Sequence, residues 1–267
     1  MRITYLQYTP TYLETERNLR QVDKLIGECE TDLLVLPELF QTGYFFTSDA
    51  DLCSVAEPIP TGKTTRRLQE WASGIGAVIV AGLAEQEGDD VYNSAVLVRP
   101  SGETETYRKV HLFYEETTLF TPGNLGFPVF EVESRDGKSY QLGMMVCFDW
   151  YFPEATRSLA LNGADVIAHP SNLVLPHCPD SMPIRARENH VFTVTANRCG
   201  TEEKGEESLT FIGLSEVCGP DGTILTRAGR DETALESVHF DPHDARDRAI
   251  NPYNDTLADR RPETYVS

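Results

Sequence analysis

Positive charge is scarce in this 267-residue sequence: 23 Lys and Arg stand against 42 Asp and Glu, a formal net charge of -19. Such a balance repels phosphate backbones and anionic membrane faces, so neither nucleic acid nor a membrane is expected as a partner. The acidic excess reads as a solvated surface that preserves solubility. Long apolar runs are missing as well, since charges or turn residues interrupt each one well short of the roughly 20 residues that a membrane helix needs. The opening Met1-Arg2-Ile3-Thr4-Tyr5-Leu6 alternates like a strand and has none of the marks of a secretory leader. Six cysteines, Cys29, Cys53, Cys147, Cys178, Cys199 and Cys218, lack the short paired spacings of a zinc cluster or a disulfide framework. Reduced thiols in a cytoplasmic protein are therefore expected, at least one of them free for chemistry. A polar or Pro/Gly/Ser-rich linker is also lacking, and with 40% hydrophobic residues the chain, 1–267, is expected to form one domain.

What is present is a mixture of strands and helices. Leu19, Val22, Leu25, Ile26 and Cys29 recur at helical spacing, and Asp32-Leu33-Leu34-Val35-Leu36 is an apolar run stopped by Pro37, giving a β-α-β opening. A second helix runs from Thr61-Gly62 through Trp71, followed by a buried strand at Ala77–Gly82 and a hairpin around Pro100-Ser101-Gly102. The later half repeats these shapes: a strand near Gln141–Val146, a helix from Pro153 to Asn162, a strand at Asp165–Ala168, a helix near Met182–His190 and a strand at Val191–Ala196. Short strands near Phe211–Cys218, Thr223–Thr226 and Thr233–His239 close the core. Mixed elements at this length predict sheets covered by helices, an α/β layered sandwich. The charged tail from Pro242 reads as a loose end, with an arm packed on a second subunit as the alternative.

Three segments carry candidate chemistry. In Gly143-Met144-Met145-Val146-Cys147-Phe148-Asp149-Trp150-Tyr151-Phe152-Pro153, an apolar strand ends at a cysteine and Pro153 marks a helix start, which puts Cys147 on a strand-to-helix elbow. Taken alone, Cys147 reads as a small core thiol, because free cysteine is among the most buried residue types. In Leu36-Pro37-Glu38-Leu39-Phe40 an acid sits between apolar neighbours, where desolvation raises a carboxyl pKa toward the range of a proton shuttle; a loop carboxylate paired with arginine fits Glu38 equally well. Lys109, in Tyr107-Arg108-Lys109-Val110-His111-Leu112, would ordinarily be a solvated surface cation, but pointed inward it can neutralise an oxyanion. His177-Cys178, between Pro176 and Pro179, reads as a loop feature, and His111 and His169 read as hydrogen-bonded structural residues.

Together these segments resemble the nitrilase superfamily of carbon-nitrogen hydrolases, and the resemblance covers nearly the whole chain. It rests on Leu36-Pro37-Glu38, Arg108-Lys109-Val110-His111-Leu112 and Cys147-Phe148-Asp149 through Phe152-Pro153-Glu154. Gly163-Ala164-Asp165, His169-Pro170-Ser171-Asn172 and Arg185-Ala186-Arg187-Glu188-Asn189 add to it. The resemblance implies a four-layer α-β-β-α sandwich whose subunits pair as a homodimer or a higher homo-oligomer. It also implies Cys147 as nucleophile, Glu38 as general base, and Lys109 with the backbone N–H of Phe148 as oxyanion partners. Glu116 would orient Lys109 or position the substrate, although neighbouring Glu115 competes for that register.

Phe148, Trp150, Tyr44 and Asn172 are the expected substrate-contacting residues, with ordinary core packing as the alternative for the aromatics. The chemistry requires neither a metal nor an organic cofactor. The expected substrate is a small amide or nitrile, cleaved through a thioester with release of ammonia, since the Trp150 and His169–Asn172 contexts look most like the short archaeal-type branch. An N-carbamoyl amine is the alternative, weakened for carbamoyl amino acids because no arginine follows Cys147 before Arg157. An inactive binding or regulatory relative would be expected to lose one of Glu38, Lys109 and Cys147, and all three are present.

Overall fold

Period-two burial organises the first half of the protein. Along Leu33-Leu34-Val35-Leu36, Leu33 and Val35 join one core cluster while Leu34 and Leu36 join another. A strand buried on both faces lies inside a layered structure, because its side chains alternate between the two layers that cover it. The computed structural model, which describes residues 1–27 and 29–265, contains two six-stranded sheets. In spatial order the first is Ala234–His239, Arg2–Gln7, Leu33–Val35, Val78–Glu87, Asp90–Val98 and Thr104–Arg108. The second is Ile224–Arg227, Glu216–Cys218, Phe192–Ala196, Val166–Pro170, Ser139–Met144 and Val129–Glu133.

Each sheet has three parallel strands, a single antiparallel strand on one flank and an antiparallel pair on the other. The repeat of shapes visible in the sequence is thus a repeat of topology. The inner faces meet in a shared core that holds Ile3, Tyr5, Val35 and Val80 from one sheet with Met144, Val166, Ala168 and Val194 from the other. On the outer face of the first sheet, the helices Thr15–Ile26 and Lys63–Ile75 bury Leu19, Val22, Leu68 and Trp71 against Leu34, Ile79 and Ala81. The helices Pro153–Leu161 and Cys178–Asn189 cover the second sheet with Leu159, Met182 and Ala186. Fully burying each such aliphatic side chain contributes roughly 1.5–3 kcal/mol. The layer order is α-β-β-α, as the resemblance implied.

Two local expectations are corrected. Cys178 is not in a loop: it is the buried first residue of the helix Cys178–Asn189, with Pro179 in the first turn, where a missing N–H does no harm. The tail is no loose end over its first residues. Ala245 is buried in the turn Pro242–Arg246, and Arg246 grips the buried Asp165 carboxylate with Nε at 2.9 Å and a terminal nitrogen at 2.7 Å. Among the described residues, no helix is long and apolar enough to cross a membrane.

Candidate active site

Glu38 follows the strand Leu33–Val35 and the stop at Pro37, which turns the chain over the end of the sheet. The turn is tight enough that a β-carbon on Gly82, in the neighbouring strand, would lie 2.4 Å from the Glu38 α-carbon. The Glu38 side chain is shielded from solvent, and its Oε1 accepts from Asn93 Nδ2 at 2.7 Å and Lys109 Nζ at 2.8 Å. Its Oε2 has no hydrogen-bond partner. Burial pushes the Glu38 carboxyl above the ordinary glutamate value, with Lys109 opposing and Glu116 adding to the rise.

Lys109 leaves the strand Thr104–Arg108 with its backbone pinned: its N–H donates to the Asn93 carbonyl and its carbonyl accepts from Gly123 N–H. A β-carbon on Gly123 would lie 2.0 Å from the Arg108 carbonyl oxygen, so only glycine permits that approach. The Lys109 ammonium bridges the two acids, 2.8 Å from Glu38 Oε1 and 2.8 Å from Glu116 Oε1. Burial alone would lower its pKa, but Glu116, Glu38 and the nearby Cys147 reverse that and hold it above the ordinary lysine value. Glu116 is the buried member of the Glu115-Glu116 pair. Its carboxylate also accepts from the Tyr44 hydroxyl at 2.6 Å and from the Phe113 N–H at 3.2 Å.

Cys147 comes from the other sheet, where the strand Ser139–Met144 runs out into the short 3-10 helix Cys147–Tyr151. Its φ of 41° places it in the left-handed region, a conformation that costs of order 1–3 kcal/mol and survives only where surroundings impose it. Those surroundings are specific. Asp149, fully buried, accepts the Val146 N–H and the Tyr107 hydroxyl on Oδ2 and the His111 backbone N–H on Oδ1, which also lies 2.8 Å from His111 Nδ1. It therefore ties the elbow to the segment that carries Lys109. His169 lies against the Cys147 carbonyl, Nε2 to oxygen 2.9 Å, with its Nδ1 near the Thr195 hydroxyl. Burial lowers the His169 pKa to about 4, so the ring is neutral at physiological pH and Nε2–H is the donor to that carbonyl. The Cys147 thiol is raised well above its ordinary value by burial and by Glu38, with Lys109 and the backbone N–H of Asn172 acting the other way.

A cavity of about 20 Å³ has Cys147 in its wall, together with Phe113, Phe148, Trp150, Asn172 and Leu175. About 10–15 Å³ suffices for a single water, so the unoccupied space suits only a small group. Of the four expected contact residues, Phe148, Trp150 and Asn172 line this cavity. Tyr44 does not: its hydroxyl is committed to Glu116, and it lines a separate hollow with Phe45, Tyr114 and Phe120. Phe113, Asn93 and Asp149 join the site without being among the residues that the sequence singles out. Asp149 offered a signal, an acid inside the apolar run of the Cys147 elbow, whereas Phe113 and Asn93 resemble ordinary strand and loop residues.

Comparison with known proteins follows the same lines. The carbon-nitrogen hydrolase family model matches residues 2–249. The chain is 47% identical over 268 residues to a nitrilase of Pyrococcus abyssi, covering 99% of each protein. It is 35% identical to an (R)-stereoselective amidase of a Pseudomonas species, over 87% of this chain and 82% of that one. Among solved structures, a variant amidase from Nesterenkonia sp. AN1, bearing acrylamide by Michael addition at its active-site cysteine, aligns with a TM-score of 0.76. That pair is 31% identical, covering 93% of this chain and 96% of the other.

Proposed function

The chain belongs to the carbon-nitrogen hydrolase family, enzymes of bonds other than peptide bonds, and on that premise we propose that it hydrolyses small amides through a thioester on Cys147. The observation that carries this reading is the buried contact of Lys109 with both Glu38 and Glu116 beside the Cys147 sulfur. A carboxyl raised by burial is matched to the task of taking a thiol proton and giving it up again near neutral pH.

Glu38 takes the Cys147 proton while the sulfur attacks the carbonyl carbon, and the carbonyl π electrons move onto oxygen. The oxyanion is held by the Lys109 ammonium and by the Phe148 N–H, an amide of the first helical turn that has no acceptor within its own helix. When the C–N bond breaks, Glu38 returns its proton to nitrogen and ammonia leaves. A water then gives a proton to Glu38 and attacks the thioester; a second oxyanion collapses, the C–S bond breaks, and the sulfur recovers its proton. The sum is amide plus water to carboxylic acid plus ammonia. Glu116 and Tyr44 act as positioning residues that hold Lys109 against its pull toward Glu38.

Beyond Glu38, Lys109 and Glu116, which do the chemistry, the residues lining the cavity carry no charge that would pair with a charged amine tail, which favours a small neutral amide over a cationic carbamoyl amine. A nitrile is the second reading, favoured by the 47% identical nitrilase; the sulfur would add to the nitrile carbon and the resulting thioimidate would be hydrolysed. The shared core of the two sheets supports one domain over 1–267, and the six free cysteines suit a reducing cytoplasm. The family resemblance is what points to a homodimer, which light scattering would test.

Ammonia release from propanamide and propionitrile, compared between native protein and Cys147→Ala, tests the assignment. The variant is expected to lose activity at least 1,000-fold, and equal release by both proteins would end the nucleophile assignment.

A further inference from the structure

The site is short of donors. Lys109 and Asn93 both serve Glu38 Oε1, leaving Glu38 Oε2 a buried acceptor with nothing to accept. Asn172 presents a second such acceptor. It is 3% exposed, and its Nδ2 donates to the Glu38 carbonyl at 2.9 Å. That bond fixes the orientation of the amide, because a side-chain oxygen cannot face a carbonyl oxygen in its place. The Asn172 Oδ1 is thereby left without a partner, in a residue that lines the Cys147 cavity and whose own backbone N–H approaches the Cys147 sulfur. Asn172 thus bridges the nucleophile and the general base. Its unused oxygen and the unused Glu38 oxygen therefore belong to two residues that one hydrogen bond holds side by side next to Cys147, and buried acceptors are rarely left unpaired.

We propose that this pair of acceptors is the subsite for the substrate's nitrogen: Asn172 Oδ1 and Glu38 Oε2 together take the two N–H bonds of a primary amide. The proposal rests on the reading of the site as a carbon-nitrogen hydrolase and adds to it a preference. A carbon bonded to the Cys147 sulfur places its amide nitrogen toward the base that must later protonate it, which is the side where Asn172 is anchored. A nitrile has no N–H to give, so it leaves both acceptors unpaired, whereas a primary amide satisfies both. Sites built to hydrogen-bond a group discriminate strongly against analogues that lack it, because the protein's own buried polar atoms are then stranded. Asn172 therefore selects primary amides over nitriles of the same carbon skeleton.

The test separates binding from turnover. Dissociation constants of propanamide and propionitrile are measured by ligand-observed NMR on Cys147→Ala protein, with and without a second change, Asn172→Ala, and thermal unfolding checks that both proteins are folded. Propanamide is expected to bind at least ten-fold more tightly than propionitrile to Cys147→Ala, and the second change should shrink that gap to within about two-fold. N,N-dimethylpropanamide, which has the carbonyl but no N–H, should gain nothing from Asn172. An equal affinity for amide and nitrile in Cys147→Ala, or a gap unchanged by Asn172→Ala, would overturn the proposal, as would a failure of propanamide to bind. If the gap appears and closes as expected while native protein releases no ammonia from either compound, the nitrogen subsite stands and the hydrolytic reading falls. Should Asn172→Ala in the double variant unfold, the native-sequence kcat/KM for propanamide against its N,N-dimethyl form decides, with less than a three-fold difference counting against the subsite.

Discussion

Gly82 lies directly against Glu38: a β-carbon there would come within 2.4 Å of the Glu38 α-carbon and 3.0 Å of the Leu39 nitrogen, both of them backbone atoms. Side-chain rotation cannot relieve that collision, so the strand Val78–Glu87 holds Glu38, the proposed general base, in place through what it omits. Gly82→Ala should displace the Glu38 carboxylate from Lys109 and Asn93, and misplacement by about 1 Å costs on the order of 100-fold in rate. Ammonia-release kinetics with a parallel melting curve would check this; activity within three-fold of native would refute it.

Asp149 makes a sharper case, because it accepts four donors with two oxygens. Asp149→Asn keeps the shape but turns one of those oxygens into a donor, facing either the Val146 N–H and the Tyr107 hydroxyl or the two His111 donors. A buried donor-donor conflict of this kind should destabilise the protein by about 2–4 kcal/mol. Urea unfolding measures the loss, and the strained φ of Cys147 should relax with it, lowering kcat more than KM is raised.

How much of this was legible in the sequence differs by residue. Glu38, Lys109 and Cys147 each follow the end of an apolar or alternating strand, where Pro37, the basic pair Arg108-Lys109 and the run to Pro153 punctuate the chain, and the structure does bring the three together. The links between them are contacts over large sequence separations, such as Asn93 to Glu38 and Asp149 to Tyr107, which no local pattern encodes. The hairpin Cys199–Lys204 with Glu207–Ile212 is hard to read from the sequence for a different reason. Its strands are rich in Glu, Lys, Thr and Ser and only partly buried, so they lack the apolar alternation that announces a strand.

Two buried groups outside the cavity predict opposite responses to pH. Burial raises the Glu216 carboxyl from 4.5 to about 7, so the native state holds its proton more tightly and this contribution to stability, full below pH 4.5, is lost as pH rises toward 7. Burial lowers the His169 imidazole from 6.5 to about 4, so its contribution is full above pH 6.5 and lost as pH falls toward 4. Each amounts to about 3 kcal/mol. The two offset one another across the shared window. Glu216→Gln removes one of them, and its stability relative to native protein should improve by about 3 kcal/mol between pH 4.5 and 7 in urea titrations. A difference that does not change with pH would refute the assignment.

Phe113 and Phe148, with ring centroids 5.0 Å apart, close the small cavity beside Cys147. Phe113→Ala should open it to longer acyl chains and raise the ratio of hexanamide to propanamide kcat/KM at least ten-fold. An unchanged ratio would place the size limit elsewhere in the wall.

The antiparallel pairing of Arg2–Gln7 with Ala234–His239 joins the first strand of the chain to one of its last, and the Arg2 and His239 side chains meet across 237 residues. A growing polypeptide emerging from the ribosome must therefore add about 230 residues after its Arg2–Gln7 strand before the sheet that carries Glu38 can be closed on that flank. Such a high contact order makes for slow folding, and until then the N-terminal strand presents an open edge to which other chains can add. The enzyme's exposure to aggregation is thus concentrated in the interval between the synthesis of its first strand and that of its closing one.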